Sequence, residues 1–316
     1  MELRHLRYFV AVAEEQHITR AAERLGMQQP PLSAQIRQLE TELGTALFTR
    51  TPRGVVPNAA GLAFLEDAKA ILDSVDRAAA RALRIARGQV GRLPVGFTTS
   101  AMLHPFVRRI LRAFRDAYPE VELALDEGNA AELTRAVEDG RMAAGFLRIP
   151  VARPPGVAFF ELLQEELLAV LPAAHPLAED TAPLDLRDLA QERFILVRRP
   201  GAAGIYENVI EACRAAGFTP KVMAEVPHML TNVNLVAAGA GVSIVPASMS
   251  EIGFQDVRYR RLRPEHGLAA PLTLAFLARN DDPILANLTA LARRLAEAGM
   301  EEPKISSPPH RGGEAG

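Results

Sequence analysis

Apolar positions up to Gly44 fall into three groups with helical spacing. Leu3, Leu6, Phe9, Val10 and Ala13 share one face of a first helix, and Ile18, Ala21, Ala22 and Leu25 share one face of a second. Gly26 breaks the second helix. Pro30 and Pro31 then occupy first-turn positions, where a backbone N–H would have no partner, and Leu32, Ile36, Leu39 and Leu43 line a third helix that Gly44 ends. Residues 18–37 therefore read helix, tight glycine turn, helix, with Ala22 small enough for a close crossing. The β-prone stretch from Leu47 to Val56, around Pro52-Arg53-Gly54, predicts a hairpin or wing that carries Arg50 and Arg53.

From Asn58, a predicted N-cap, no proline occurs until Pro94, and Leu65, Ala68, Leu72, Val75, Ala79, Ala82 and Ala86 step by three and four. A helix from Ala59 to Arg87 would be about 43 Å long at about 1.5 Å per residue. Its narrow, alanine-rich stripe calls for a partner helix, packing on its own chain being the alternative. Gly88, Gly91 and Pro94 mark a boundary near Gly91, after which strands and helices alternate as in α/β folds. A strand at Leu93 to Phe97 leads through Thr98-Thr99-Ser100 into a helix around Met102 to Tyr118, then a strand at Val121 to Leu125. The plan recurs as a strand at Phe194 to Val197, Pro200-Gly201, a helix near Ile205 to Ala216 and a strand at Val222 to Val226.

These patterns predict an α + α/β architecture. Residues 1–58 form a winged helix-turn-helix, 59–90 a linker and dimerisation helix, and 91–300 a two-lobed α/β domain. Lobe one is expected at about 91–162 and 269–300, and lobe two at about 163–268. Residues 301–316, rich in Pro, Ser and Gly, read as a disordered tail.

Charge sharpens this picture. The 316 residues carry 36 cations and 38 acids, a net charge of −2, which excludes a protein that coats nucleic acid by bulk charge. Residues 1–58 hold seven arginines against six acids, so affinity for a polyanion must come from placement and from pairing of modules. A single cysteine, Cys213, rules out an internal disulfide, a multi-cysteine metal site and a two-cysteine redox switch. No apolar run approaches the ~20 residues of a membrane span, and Glu2, Arg4 and Arg7 interrupt any signal-like stretch. A cytoplasmic protein is expected.

The stretches Ile18-Thr19-Arg20-Ala21-Ala22-Glu23-Arg24-Leu25-Gly26, Gln29-Pro30-Pro31-Leu32-Ser33, Leu39-Glu40-Thr41-Glu42-Leu43-Gly44 and Leu47-Phe48-Thr49-Arg50 together resemble LysR-type transcriptional regulators. Gly239-Ala240-Gly241-Val242-Ser243-Ile244-Val245-Pro246 resembles a late signature of the same family, so the resemblance covers nearly the whole chain. It implies an effector domain like type 2 periplasmic binding proteins, a dimer through the linker helix, a tetramer, contact with RNA polymerase and residence on the bacterial nucleoid. The double proline, Ala144 to Arg148 and Asn232 to Gly239 further resemble the subgroup that senses muconate or benzoate. The implied function is operator binding or bending of double-stranded DNA that changes when a small acidic, aromatic or muconate-like metabolite binds.

Candidate sites follow. Gln29, Ser33, Gln35 and Arg37 offer hydrogen-bonding groups to a major groove, and Pro30 and Pro31 offer contact to a thymine methyl. Ala34 stands where related regulators often carry Arg. Arg50 and Arg53 suit phosphate or minor-groove contact, unless they are merely solvated. For the effector, Thr98, Thr99 and Ser100 supply hydroxyls. By family position Ser100, Asn129 and Arg148 align with ligand contacts, but Asn129 also reads as an N-cap. Arg148, after an apolar strand from Met142 to Leu147, reads as either a counter-charge or a structural salt bridge. Phe146, Ile205, His228 and Asn232 complete the set, the first two doubling as core candidates and His228 as a surface or capping residue. No cofactor, metal site or catalytic set is expected beyond a co-inducer. A free solute-binding protein is the rival reading for 92–300, and residues 1–58 argue against it. An enzyme lacks a supporting motif, and a redox sensor would need a partner for Cys213.

Overall fold

A computed structural model describes residues 1–52, 54–148, 153–198 and 204–301. Arg53, Pro200, Gly201 and all of the expected tail beyond Glu301 lie outside the described residues. The chain divides into two compact units, Met1–Ala86 and Arg87–Gly316.

In the first unit, α1 (Leu3–Glu15), α2 (Ile18–Arg24) and α3 (Gln29–Leu43) precede a hairpin of β1 (Phe48–Thr51) and β2 (Gly54–Pro57), then α4 (Ala59–Ala86). Phe9, Val12, Ala21, Leu32 and Leu39 are fully buried in one core, against which Phe64 and Leu65 of α4 pack. Gly26 turns α2 into α3 because its φ of +66° frees Met27 N–H to donate to Ala22 O at 3.0 Å. Glu40 ties the next loop to α3, its carboxylate accepting from Leu47 N at 2.8 Å and Phe48 N at 3.2 Å. Asn58 caps α4 as expected, accepting from Gly61 N at 2.8 Å. The heptad seam divides. Leu65, Ala68 and Leu72 meet the unit's own core, whereas Ala79, Ala82 and Ala86 are exposed and Leu83 stands 50% exposed.

The second unit begins with β3 (Val90–Phe97), α5 (Thr99–Met102), α6 (Pro105–Ala117), β4 (Glu120–Glu127), α7 (Ala130–Glu138) and β5 (Ala144–Leu147). It continues through β6 (Val157–Pro172), β7 (Arg193–Val197), α8 (Gly204–Ala215), β8 (Lys221–Val226), α9 (Met229–Ala237) and β9 (Ser243–Pro246). After β10 (Val257–Arg261) and β11 (Ala269–Leu277) it closes on α10 (Pro283–Glu301). The main sheet runs β10-β6-β11-β5-β3-β4, with β9 also paired to β6. β3, β4 and β5 are parallel, as are β7 and β8, so the repeated strand–helix–strand plan seen in the sequence is present in both halves. The 16-residue β6 links them, pairing with β11 up to Glu166 and with β9 and β10 beyond it. Leu93, Ile110, Phe114, Phe146 and Leu288 fill one half's core, and Leu171, Phe194, Val209 and Ile244 fill the other's.

Two local expectations are corrected. The helix expected from Met102 to Tyr118 is interrupted at Leu103–His104, because Pro105 has no N–H to continue an earlier turn. His104 caps the new helix, its Nδ1 accepting from Phe106 N at 3.0 Å. The strand expected from Met142 begins at Ala144.

Candidate functional site

The first unit presents α3 as an exposed helix beside the hairpin. Gln29, Pro30, Pro31, Ala34 and Arg37 are exposed on it and Ser33 is half-buried among them, which is the face a helix needs to enter a groove. Gln35 lies off that face, toward the core. Its Oε1 meets the buried His5 Nε2 at 3.0 Å and its Nε2 reaches Gln38 at 3.4 Å, so it braces α3 against α1.

Besides the Glu40 bond to Phe48 N, the hairpin is held by its backbone to the end of α1. Gln16 ends α1 in the left-handed region, and its carbonyl accepts from Val55 N at 3.0 Å. Gly54, at φ +141°, has no room for a Cβ, which would collide with that same carbonyl. This close approach brings Arg50 to a recess of about 310 Å³ shared with Gln29, Ser33, His17 and Thr19. His17 and Thr19 were missed as site residues in the sequence. Thr19 donates to Gln29 Oε1 at 3.1 Å and so orients that side chain. Arg50 and Arg37 have no hydrogen bond or ion pair through their side chains among the described residues, leaving both guanidiniums available to an anion.

In the second unit, Thr98, Thr99 and Ser100 lie at the carboxyl end of β3, flanked by the ends of β4 and β5. In parallel α/β sheets such strand ends are where ligands collect. Thr98 N-caps α5, accepting from Ala101 N at 3.3 Å, and Thr99 Oγ1 donates to Glu127. Asn129 is an N-cap with a complete capping box: it accepts from Glu132 N at 2.9 Å while its own N–H donates to Glu132 Oε2 at 3.0 Å.

Arg148 is buried and paired. Its guanidinium donates to Glu165, to Ser248 Oγ at 2.9 Å and twice to Ser100 O, at 2.7 and 3.2 Å. The second oxygen of Glu165 accepts from Ser248 N. Burial is the main cause pulling the Arg148 pKa down, and Glu165 opposes it. His104 Nε2 stands 3.9 Å from Glu165, and burial holds the imidazole pKa below its ordinary value despite that carboxylate. Of the two readings of Arg148, the salt bridge is the one formed in the structure: Arg148 is neutralised by Glu165 and fastens the Ser100 carbonyl. Glu165 was missed: it stands between Gln164 and Glu166 on β6, and nothing local sets it apart from those polar neighbours.

The remaining candidates scatter. Phe146, on β5, is fully buried in the core, and Ile205 packs against both apolar clusters of its half. Asn232 is fully buried on α9 and donates to Ile195 O at 2.9 Å, its Oδ1 having no hydrogen-bond partner among the described residues. His228 is exposed and starts α9 without a side-chain cap. Cys213 is buried, and burial pushes its pKa up to about 12, which keeps it a thiol and unsuited to redox sensing.

Comparison with known proteins settles what this pair of units is. Residues 3–62 match the bacterial regulatory helix-turn-helix protein, lysR family, and residues 86–299 match the LysR substrate binding domain. The chain belongs to the LysR family of transcriptional regulators. The HTH-type transcriptional regulator YnfL of Escherichia coli (strain K12) is 41% identical over 272 residues, covering 85% of this chain and 90% of YnfL. Full-length CbnR complexed with its target DNA superposes with a TM-score of 0.79 at 32% identity, over 94% of this chain and all of that one. The BenM effector binding domain with its effector benzoate gives a TM-score of 0.60 at 27% identity, covering 70% of this chain and 99% of that one. The regulator therefore couples an N-terminal DNA-binding helix-turn-helix to a C-terminal effector-binding domain, in a family of regulators rather than enzymes. Among the described residues no helix is long and apolar enough to cross a membrane, and no cluster of ligating side chains could hold a metal.

Proposed function

We propose that the regulator reads operator DNA with Gln29, Pro30, Pro31, Ser33 and Arg37 of α3, and holds its phosphates with Arg50 and Arg53. It changes operator binding or DNA bending when a small acidic, aromatic or muconate-like metabolite reaches the hydroxyls of Thr98, Thr99 and Ser100. Arg148 serves this reading as a positioning residue, since its two bonds to the Ser100 carbonyl hold that loop at the strand ends. That fastening is the observation on which the reading rests. The benzoate ligand of BenM, a relative in fold, supports an aromatic acid. The uncovered second half of α4 supports pairing of two copies there, and the family's habits extend this to a tetramer, contact with RNA polymerase and residence on the cytoplasmic nucleoid.

One binding experiment tests it on the full chain. Operator affinity is measured against salt for wild type, R50A and R37A, and melting is followed with a panel of aromatic and unsaturated dicarboxylic acids. Each phosphate contact contributes a slope of about 0.9 in log affinity against log salt, so R50A in a dimer flattens the slope by about 1.8. R37A narrows the preference for operator over scrambled DNA. The true acid at 100 times its Kd stabilises the protein by about 2.7 kcal/mol, and the T99V/S100A variant loses that gain. Unchanged slopes and a shift that survives T99V/S100A overturn the reading.

A further inference from the structure

We propose that a single internal water sits between α9, β7 and β9 in the core of the effector-binding unit, held by Asn232 and Ser243. Both residues are fully buried, and Asn232 Oδ1 and Ser243 Oγ are sealed from solvent with no hydrogen-bond partner among the described residues. Buried polar atoms nearly always have a partner, and ordered water supplies it where the protein does not. The site shares no residue with the operator-reading face of α3 or with the Thr98–Ser100 loop.

The strand ladder brings the two atoms to one face. Val242 N donates to Arg193 O at 2.8 Å and Ile195 N to Val242 O at 2.9 Å, which sets Ser243 opposite Ile195 in the parallel register. Val242 and Ile244 point into the core that holds Leu171 and Val209, whereas Ile195 and Val245 point into the one that holds Val233 and Val236 of α9. Ser243 alternates with Val242 and so faces α9. Asn232 reaches the same spot, because its Nδ2 donates to the Ile195 carbonyl, which a continued ladder would bond to β9. The ladder is broken on both sides here: β7 meets β9 at an isolated bridge, and its pairing with β8 shifts register between Phe194 and Ile195.

Chemistry decides the occupant. The bond to Ile195 O fixes which end of the amide is which, so Oδ1 needs a donor, and the serine hydroxyl can donate or accept. Both atoms are neutral and their neighbours Val170, Ile195, Val233 and Val245 are apolar, so an ion is excluded by its desolvation cost. Sealing from solvent excludes a larger solute. Water donates one hydrogen to Oδ1 and bonds the hydroxyl with the rest of the molecule, closing the joint between α9 and the two strands where the ladder ends.

The test is a crystal structure of the full-length protein at a resolution that shows ordered water, together with oxygen-17 magnetic relaxation dispersion, which counts long-lived internal waters in solution. Wild type should show one density peak about 2.7–3.2 Å from both Asn232 Oδ1 and Ser243 Oγ. S243V puts methyl groups where the hydroxyl and the water lie, so its count of long-lived waters falls by one. S243A, the milder change, keeps the water but shortens its residence several-fold, because one of its bonds is gone. No peak within reach of both atoms, as when the amide and the hydroxyl bond each other directly, overturns the site. A count and residence time equal in all three proteins overturns it as well.

Discussion

Arg148→Met isolates what the buried pair contributes. The side chains of Arg148 and Glu165 are only 5% and 6% exposed, and methionine keeps the apolar stem of Arg148 while removing every donor. Glu165 would keep one hydrogen-bond donor, Ser248 N, with His104 Nε2 at 3.9 Å, and the Ser100 carbonyl would lose both its bonds to Arg148. Breaking one side of a buried ion pair costs about 3–5 kcal/mol. For a domain of about 200 residues each kcal/mol moves Tm by about 2–4 °C, so R148M should melt about 6–20 °C lower. Removing both charges is different, because two desolvation costs disappear with the attraction; R148M/E165L should recover most of the loss. Circular dichroism melts of the full chain read this directly, with operator binding at 25 °C as the control that the DNA-binding unit is intact. R148M melting within about 2 °C of wild type, or a double variant melting as low as R148M, would refute the reasoning.

His104 makes the effector-binding unit pH-sensitive. Burial holds its pKa below the ordinary value, so as pH falls through about 6.5 the unfolded chain takes up a proton that the folded one resists, and stability drops. Asparagine keeps an acceptor for Phe106 N but cannot titrate, so H104N should show a smaller fall in Tm between about pH 7.5 and about pH 5.5. Equal slopes for the two proteins would remove His104 from the account. At the wing, Gly54→Ala forces a Cβ onto the Gln16 carbonyl at a φ of +141°, costing more than about 1 kcal/mol. G54A should bind operator DNA more weakly by fluorescence anisotropy and melt lower in its DNA-binding unit. Wild-type affinity and melting together would show that the close approach does not matter.

The helices of the DNA-binding unit were legible because their signals are local. Apolar spacing in α1 to α3, the prolines at the start of α3 and the glycines at 26 and 44 all act within one or two turns. The break before α6 was equally local, since Pro105 announced it, but the amphipathic run through 102–118 masked it. Gln35 shows where such signals end. A polar residue near the leading turn of a recognition helix reads as a base contact, yet its partner His5 lies thirty positions away and turns it into a brace.

Sequence alone determined the two-module organisation, the helix α3 that carries Gln29, Pro30, Pro31 and Arg37, and the strand-end hydroxyls of Thr98 to Ser100. Those follow from periodicity, caps and turns, which depend on neighbours in the chain. Only the tertiary structure decided that Arg148 is paired with Glu165 and Ser248, and that Phe146 and Asn232 belong to the core. Whether a charge is free depends on which other charges the fold brings within a few ångströms. Glu165 is 17 residues and Ser248 100 residues from Arg148 in sequence, so only the packing of β5, β6 and the turn after β9 could reveal the match.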